Sequence, residues 1–491
     1  MKLFRTAFIA GVCAVAGIHM AKAEPEQAGN KWYQSAQSTL AQKLKQTPNT
    51  NKALNVILFI SDGNGIATNY ASRLYMGQQA GGYGDEFVLP YEKLPYLGLI
   101  KTYNTNAQTP DSAGTATAIN SGVKSRSGII GLDDTARLGK CEDVEKAKTS
   151  SFGDLMNKAG KSVGIVSTAR ITHATPAAVY AHSAHRGWEV DSKIPAGCKQ
   201  KDIAAQLADK LLAGKVNLAL GGGRRNFIPV TKPGEEGTLG RRRDGRDLIN
   251  EVKAGNIQYA YDDKSFASLK LDGSSTIFGL FESSHMKFEH VRKGEPSLTE
   301  MTEAAITHLS QNKKGYFLMV EAGRVDHGNH GNSLHRAVSD NVAFAKAVER
   351  AMELTSEQDT LIIVTADHAH GVAFNGYCGR GSPVTGLCYK VDSQGEKHKD
   401  EPNKTKDGKT YTVAGYLNGR GPKYAGDGKA LTNEEATSPN FLHNTHIHLK
   451  SEAHSGADVA IYASGPWAHL FEGTMEQNYI FHVMNHAVNA K

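Results

Sequence analysis

Six stretches of the chain share one pattern: a continuous apolar run, rich in β-branched residues, that breaks abruptly at glycine or polar residues. They are NVILFISDGNG from Asn55, KSVGIVSTARITHAT from Lys161, VNLALGGG from Val216, GYFLMVEAGRVDHGNH from Gly315, TLIIVTADHAH from Thr360 and DVAIYASGP from Asp458. Runs that do not alternate with polar residues suit strands covered on both faces, as in a parallel sheet. Between them SFGDLMNKAG and DIAAQLADKLLAGK carry helical spacing. The alternation predicts an α/β fold, a three-layer α/β/α sandwich around a mostly parallel, doubly wound sheet. Ligands bind such sheets beyond the carboxyl ends of the strands. Asp62, His173, Glu321, Asp326, Asp367 and His368 all follow an apolar run there.

The pattern fails in two places. From about Gly376 to His448 the chain is rich in Gly, Lys, Asn and Asp with little apolar periodicity, and regular signals resume near Asp458. This segment reads as a surface insertion, 376–448, in a core formed by 24–375 and 449–491. At the other end, Lys2 and Arg5 precede an apolar run from Ala7 to Ile18 and then Ala21-Lys22-Ala23. Basic start, short apolar stretch and small-x-small site are the marks of a secretory signal peptide, residues 1–23, so the protein is expected to be exported, periplasmic or secreted. No other apolar run is long enough to span a membrane.

Composition changes little except through that export. At 491 residues, 22% charged and 40% hydrophobic, the chain suits a large globular α/β core with an insertion. Removing Lys2, Arg5 and Lys22 from the 56 basic residues leaves 53 against 50 acidic ones, a formal charge of +3 in place of +6. That excludes a nucleic-acid-binding balance, and RRRDGRD from Arg241 reads as a solvated loop. Cys13 leaves with the signal, so four cysteines meet an oxidising compartment. Cys141 and Cys198 flank the run that leads to His173, while Cys378 and Cys388 are ten positions apart at the start of the insertion. These two pairs are the expected disulfides.

The candidate chemistry gathers at the run ends. Asp62 sits in SDGNG, where Gly63 and Gly65 allow the backbone close to a ligand or simply form a turn. Asp367 and His368 are adjacent; Asp326 and His330 are four apart, a spacing that one helical turn puts on one face. Mixed carboxylate and imidazole ligands suit zinc, and His454, ahead of what reads as the last strand, could complete a site. Ser112, in PDSAGTAT, opens an Ala/Thr segment that reads as a helix, whose free amides attract an anion; Asp111 or Ser112 could equally be its N-cap. Arg186 is a candidate anion clamp, since a guanidinium presents paired donors to two phosphate oxygens.

Taken in order, DGNG, PDSAGTAT, THATPAAVYAHSAHR, VEAGRVDHGNH, TADHAH and EAHSGADVAIYASG resemble the alkaline phosphatases over nearly the whole mature sequence. The resemblance implies broad phosphomonoester hydrolysis through a phosphoserine, with Ser112 as nucleophile and Arg186 as phosphate clamp. One zinc would be held by Asp326, His330 and His454, a second by Asp62, Asp367 and His368, and a magnesium by Asp62, Thr175 and Glu321. His173 and His327, beside the phosphate, form a pair resembling that of the animal enzymes, and 376–448 stands where those carry a crown insertion at the interface of a homodimer. A calcium site of the animal enzymes is partly echoed by Glu282 and Glu295. His443, His446 and His448 in HNTHIH have no counterpart in the family's motifs and read as surface structure. A diesterase or sulfatase is disfavoured: Arg186 suits the third oxygen of a monoester, and no Cys-x-Pro-x-Arg or Ser-x-Pro-x-Arg segment is present.

Overall fold

The computed structural model describes residues 25–255, 257–395, 397–422 and 430–490. The expected signal peptide lies outside them. Residues 25–47 belong to one unit, with a helix at Lys31–Lys43 whose N-cap Asn30 accepts a hydrogen bond from the Trp32 amide. The remainder, from Pro48, forms the other.

That larger unit is built on a ten-stranded sheet. Its strands are β1 Asn55–Ile60, β2 Tyr96–Lys101, β3 Ser162–Arg170, β4 Leu218–Gly222, β5 Gln258–Ala260, β6 Ile277–Leu280, β7 Tyr316–Glu321, β8 Thr360–Thr365, β9 Val459–Ser464 and β10 Gly473–Glu476. They lie in the order β10-β2-β9-β8-β1-β7-β3-β4-β6-β5. Only β9 is antiparallel to its neighbours, β8 and β2; every other pairing in this sheet is parallel. Successive residues of β1 show why its apolar run is continuous: Val56, Leu58 and Ile60 enter one core, Ile57 and Phe59 the other. Helices Ser112–Ser121, Phe152–Lys158, Ile203–Leu212 and Tyr479–Asn489 contribute to the first core, and Leu298–Leu309 and Leu334–Leu354 to the second. Burial of both faces gives the three layers expected.

All six apolar runs are strands. The four strands without a recognised signal fail the pattern for physical reasons. In β2, Tyr96, Gly98 and Ile100 are buried, whereas Leu97 and Leu99 on the other face are 55% and 38% exposed, so one face of this strand is not covered. β5, β6 and β10 have only three or four residues each. One of them, β10, follows β9, so the strand after His454 is not the last.

Two further readings need correction. The run RRRDGRD is not wholly solvated: Arg242 is buried, its Nη1 2.9 Å and Nη2 3.1 Å from the two carboxylate oxygens of Asp202. Asp202 is also the N-cap of helix Ile203–Leu212, so this planar double contact ties the loop to the core. The segment 376–448 has regular structure despite its composition. It contains the strands Tyr389–Val391, Lys397–Pro402, Ala414–Gly419 and Thr445–His448, in small sheets apart from the central one. Local hydrogen bonds and the disulfide Cys378–Cys388 support it, in place of an apolar period. The second disulfide joins Cys141 and Cys198, so both pairs are as expected.

Candidate active site

The carboxyl edge of the sheet gathers the predicted residues. Asp62 stands just past β1, Glu321 ends β7, Asp367 and His368 follow β8, and His173 and Thr175 follow β3. Because β9 runs the other way, its amino end lies at this same edge and brings His454 there. The short strands Ala369–His370 and His454–Ser455 pair with His454 opposite His370. Asp326 and His330 share the helix Arg324–His330, as their spacing predicted.

Ser112 is the first residue of helix Ser112–Ser121, and the N-cap is Asp111, whose side chain accepts from the Gly114 amide at 3.1 Å. Ser112 is buried, with Oγ 3.1 Å from His368 Nε2. That same nitrogen is 3.4 Å from Asp62 Oδ1 and 3.4 Å from Asp367 Oδ2. In the neighbouring cluster, Asp326 Oδ1 is 3.3 Å from His330 Nε2 and 3.4 Å from His454 Nε2, and the two imidazole nitrogens are 3.1 Å apart. Ligand bonds of about 2.0–2.1 Å in a tetrahedron put neighbouring donors about 3.3 Å apart. Both clusters have that spacing.

The third group is oxygen-rich. Asp62, Glu321 and His173 present ligand atoms within 4.8 Å of one another. Both carboxylate oxygens of Asp62, Oε1 of Glu321 and the Thr175 hydroxyl are buried without a hydrogen-bond partner. Such orphaned groups are costly unless something completes their coordination. Burial, then the nearby Asp367, Asp326 and Glu321 carboxylates, push Asp62 well above the usual carboxylate range. Burial likewise raises Asp367, and Glu321 to about 7. Asp326 goes the other way: burial would raise it, but His330, His370 and His454 outweigh that and hold it well below.

Arg186 sits beside this pocket. Its Nη1 is 2.9 Å from Asp111 Oδ2, and its Nη2 lies 3.2 Å from His173 Nε2. Burial, then the Arg186 charge, hold His173 well below the ordinary imidazole value, and burial takes His327 down to about 3, so both rings are neutral. The two ring centroids are 5.8 Å apart.

Three residues that the sequence did not single out belong to this region. His370 donates or accepts at both nitrogens, with Nε2 2.8 Å from Asp326 Oδ1 and Nδ1 in a short contact with buried Glu452. Burial opposes its charge, yet Glu452 and Asp326 raise it to about 10. It bridges Asp326 and Glu452, and its ring also lies in two groups of candidate metal donors, with Asp326, His368 and His454 and with His330 and Glu452. Both residues lie in the motifs TADHAH and EAHSGADVAIYASG; what singles them out is the strand pairing, which a linear reading lacks. His285 packs on His327 with ring centroids 4.1 Å apart and had no signal beyond its residue type.

Other expectations fall outside the pocket. Glu282 is paired with Lys287 Nζ at 2.6 Å, and Glu295 Oε1 accepts from the Lys287 amide at 2.7 Å, so a lysine ammonium already lies against this acidic pair. Among the described residues no candidate metal cluster includes either glutamate. His446 and His448 are exposed, but His443 is buried and its backbone amide donates to Asn332, so that residue is part of the interior and not of the surface.

A helix-start serine beside a clamped guanidinium and crowded metal-ligand donors defines a hydrolase for an anionic substrate, and comparison with known proteins narrows the class. The profile of the alkaline phosphatase family matches residues 53–490, and the chain belongs to that family. It is a hydrolase of phosphate monoesters. The chain is 39% identical to the tissue-nonspecific isozyme of alkaline phosphatase from Gallus gallus, an alignment covering 99% of this chain and 94% of that one. It is also 39% identical to the alkaline phosphatase of Gadus morhua, over 94% of this chain and 98% of the other. The structure of alkaline phosphatase from the Antarctic bacterium TAB5 shares the fold, with a TM-score of 0.62 at 22% identity over 90% of this chain and 100% of that chain.

Proposed function

We propose that this chain hydrolyses a broad range of phosphate monoesters by way of a phosphoserine on Ser112, with two zinc ions and one magnesium ion as cofactors. The observation that carries the reading is the set of donors around His368 Nε2: Ser112 Oγ, Asp62 and Asp367 all stand 3.1–3.4 Å from it. A serine activated by histidine alone would need His368 Nδ1 held by a carboxylate. That nitrogen has no partner. The donors therefore favour a shared cation. Asp62, Asp367 and His368 would hold one zinc, and Asp326, His330 and His454 the other. The orphaned oxygens of Asp62, Thr175 and Glu321 suit magnesium, a harder ion.

When bound, such cations offset the four pocket carboxylates and lower the pKa of hydroxyl groups and water at open positions. Ser112 Oγ then forms the bond to phosphorus as the ester oxygen leaves with the alcohol. Arg186, fixed by Asp111, holds two phosphoryl oxygens; His173 and His327 line the same anion. Water attacks the phosphoserine from the opposite side, phosphate leaves and Ser112 is regenerated. Because only the phosphoryl group is gripped, the alcohol matters little. A variant of the TAB5 enzyme has Mg bound in its M3 site. In this chain neutral His173 adds no negative charge beside Asp62 and Glu321, so activity should depend on added magnesium.

Acid-quenching the enzyme with labelled phosphate should leave label on Ser112, and an aryl phosphate should be cleaved far faster than its methyl diester or an aryl sulfate. Label elsewhere, or equal rates on the diester, would overturn the reading. We also read the mature chain as an exported homodimer with 376–448 as a crown-like insertion; sedimentation and cell fractionation test those points.

A further inference from the structure

His285 lies on the loop after β6, away from every motif that carries the family resemblance. Yet its ring centroid is 4.1 Å from that of His327 and 5.4 Å from that of His173, closing a triangle of imidazoles beside the anion pocket. The three rings are held very differently. His173 is engaged by Arg186 at 3.2 Å. His285 is anchored by Arg170, whose backbone amide donates to Nδ1 at 3.2 Å and whose guanidinium meets Nε2 in a short contact. Arg170 is itself fixed by Glu189 at 2.8 and 2.7 Å. His327 alone lacks such an anchor: its Nδ1 is buried without a partner, and its Nε2 is 4.0 Å from the nearest Asp326 oxygen, beyond hydrogen-bond reach. A side chain with no directional bond takes its orientation from the surface it packs against, and the closest ring on that surface is His285.

We propose that His285 is a positioning residue for phosphate recognition, setting the ring of His327 through contact and transmitting the rigidity of the Arg170–Glu189 pair to it. This rests on the reading that His327 lines the bound phosphate. A poorly fixed ring would sweep several orientations, and each substrate would have to order it on binding, so the loss should fall on phosphate affinity and on kcat/KM.

The test is a double-mutant cycle on the full mature enzyme loaded with zinc and magnesium, read by aryl phosphate kinetics and by competition with inorganic phosphate. His285→Ala should lower kcat/KM about ten-fold and weaken phosphate competition by a similar factor, with unchanged metal content. His285→Phe, which keeps a ring against His327, should stay within about two-fold of wild type. In a His327→Ala background, His285→Ala should cost less than about two-fold. Should the alanine variant not fold, His285→Gln takes its place: it can still accept from Arg170 but offers no ring, so the same loss is expected. Full, additive losses in the His327→Ala background, or wild-type kinetics for His285→Ala or Gln, would overturn the proposal. If His327→Ala by itself leaves phosphate competition unchanged, it is the placement of His327 at the phosphate that fails.

Discussion

The two halves of the pocket solve the same problem in opposite ways. Around Asp326 three imidazoles converge on one carboxylate, and one of them, His370, also meets Glu452, so that a charged ring already lies between two carboxylates. Around Asp62 the neighbours are the Asp367 and Glu321 carboxylates and the His368 imidazole, which burial holds well below its usual value. One half sets a charged imidazole between its carboxylates; in the other the carboxylates are crowded together and buried without one. The first can persist as a folded feature without cations, while the second holds raised carboxyls that retain protons more readily until cations arrive.

The largest effect should come at the seam between the halves. Ser112→Ala should reduce turnover by at least about a thousandfold while zinc content in both halves is retained; concurrent loss of metal would mean that the serine holds the pocket together structurally. The sharpest test of the contrast is a difference in sign. In chelator-stripped protein at pH 8, Asp326→Asn should destabilise by about 3 kcal/mol, because it strips a buried partner from His370. Asp62→Asn should instead stabilise by on the order of 1 kcal/mol, because it relieves crowded carboxylates. Both should abolish most activity of the reloaded enzyme. Thermal melts showing the same sign for both would break the comparison.

Glu452→Gln probes the bracing of the Asp326 half alone. On the reading proposed above, metal held by Asp326, His330 and His454 should be lost at about ten- to a hundredfold lower chelator activity, with the Asp62 half unchanged. That residue also shows where linear reading stops. The apolar runs made β1, β3, β4, β7, β8 and β9 legible because each is buried on both faces, and the residues just past them were legible as site residues by position. Asp326 and His330 could be paired from helical spacing. Glu452 and His370 could not be, since they meet only because His454–Ser455 lies antiparallel to Ala369–His370. His285 was hidden for the same reason, its contact to His327 joining a loop to the helix Arg324–His330 with no periodicity between them. Arg242 was misread because charge in a run says nothing about whether one member finds a buried carboxylate such as Asp202.

The smallest effect is expected from a buried carboxyl outside both halves. Burial raises Asp340 to about 8, although Arg324 and the Glu289 amide oppose the shift. The folded protein therefore keeps this proton between about pH 4 and 8 while the unfolded chain has lost it, so stability falls as pH rises through that window. Asp340→Asn removes the term. Its melting temperature should match wild type near pH 4.5 and exceed it by about 2–3 °C at pH 9, with activity unchanged. A constant difference at all pH values would show that the Asp340 carboxyl is not raised in the folded protein.

The reversed strand has a consequence for how the molecule comes into being. β2 and β10 reach the rest of the sheet solely through β9, and β9 also delivers His454 to the pocket. A chain still emerging from the ribosome can pair β1, β3, β7 and β8 and hold Asp62, Asp367 and His368 together. It cannot offer Asp326 its third partner until His454 has emerged, nor attach β2 until β9, which ends at Ser464, has followed. Completion of the Asp326 group is thus left to the last part of the polypeptide, and a chain truncated before Val459 should lack the strand that joins β2 and β10 to the sheet.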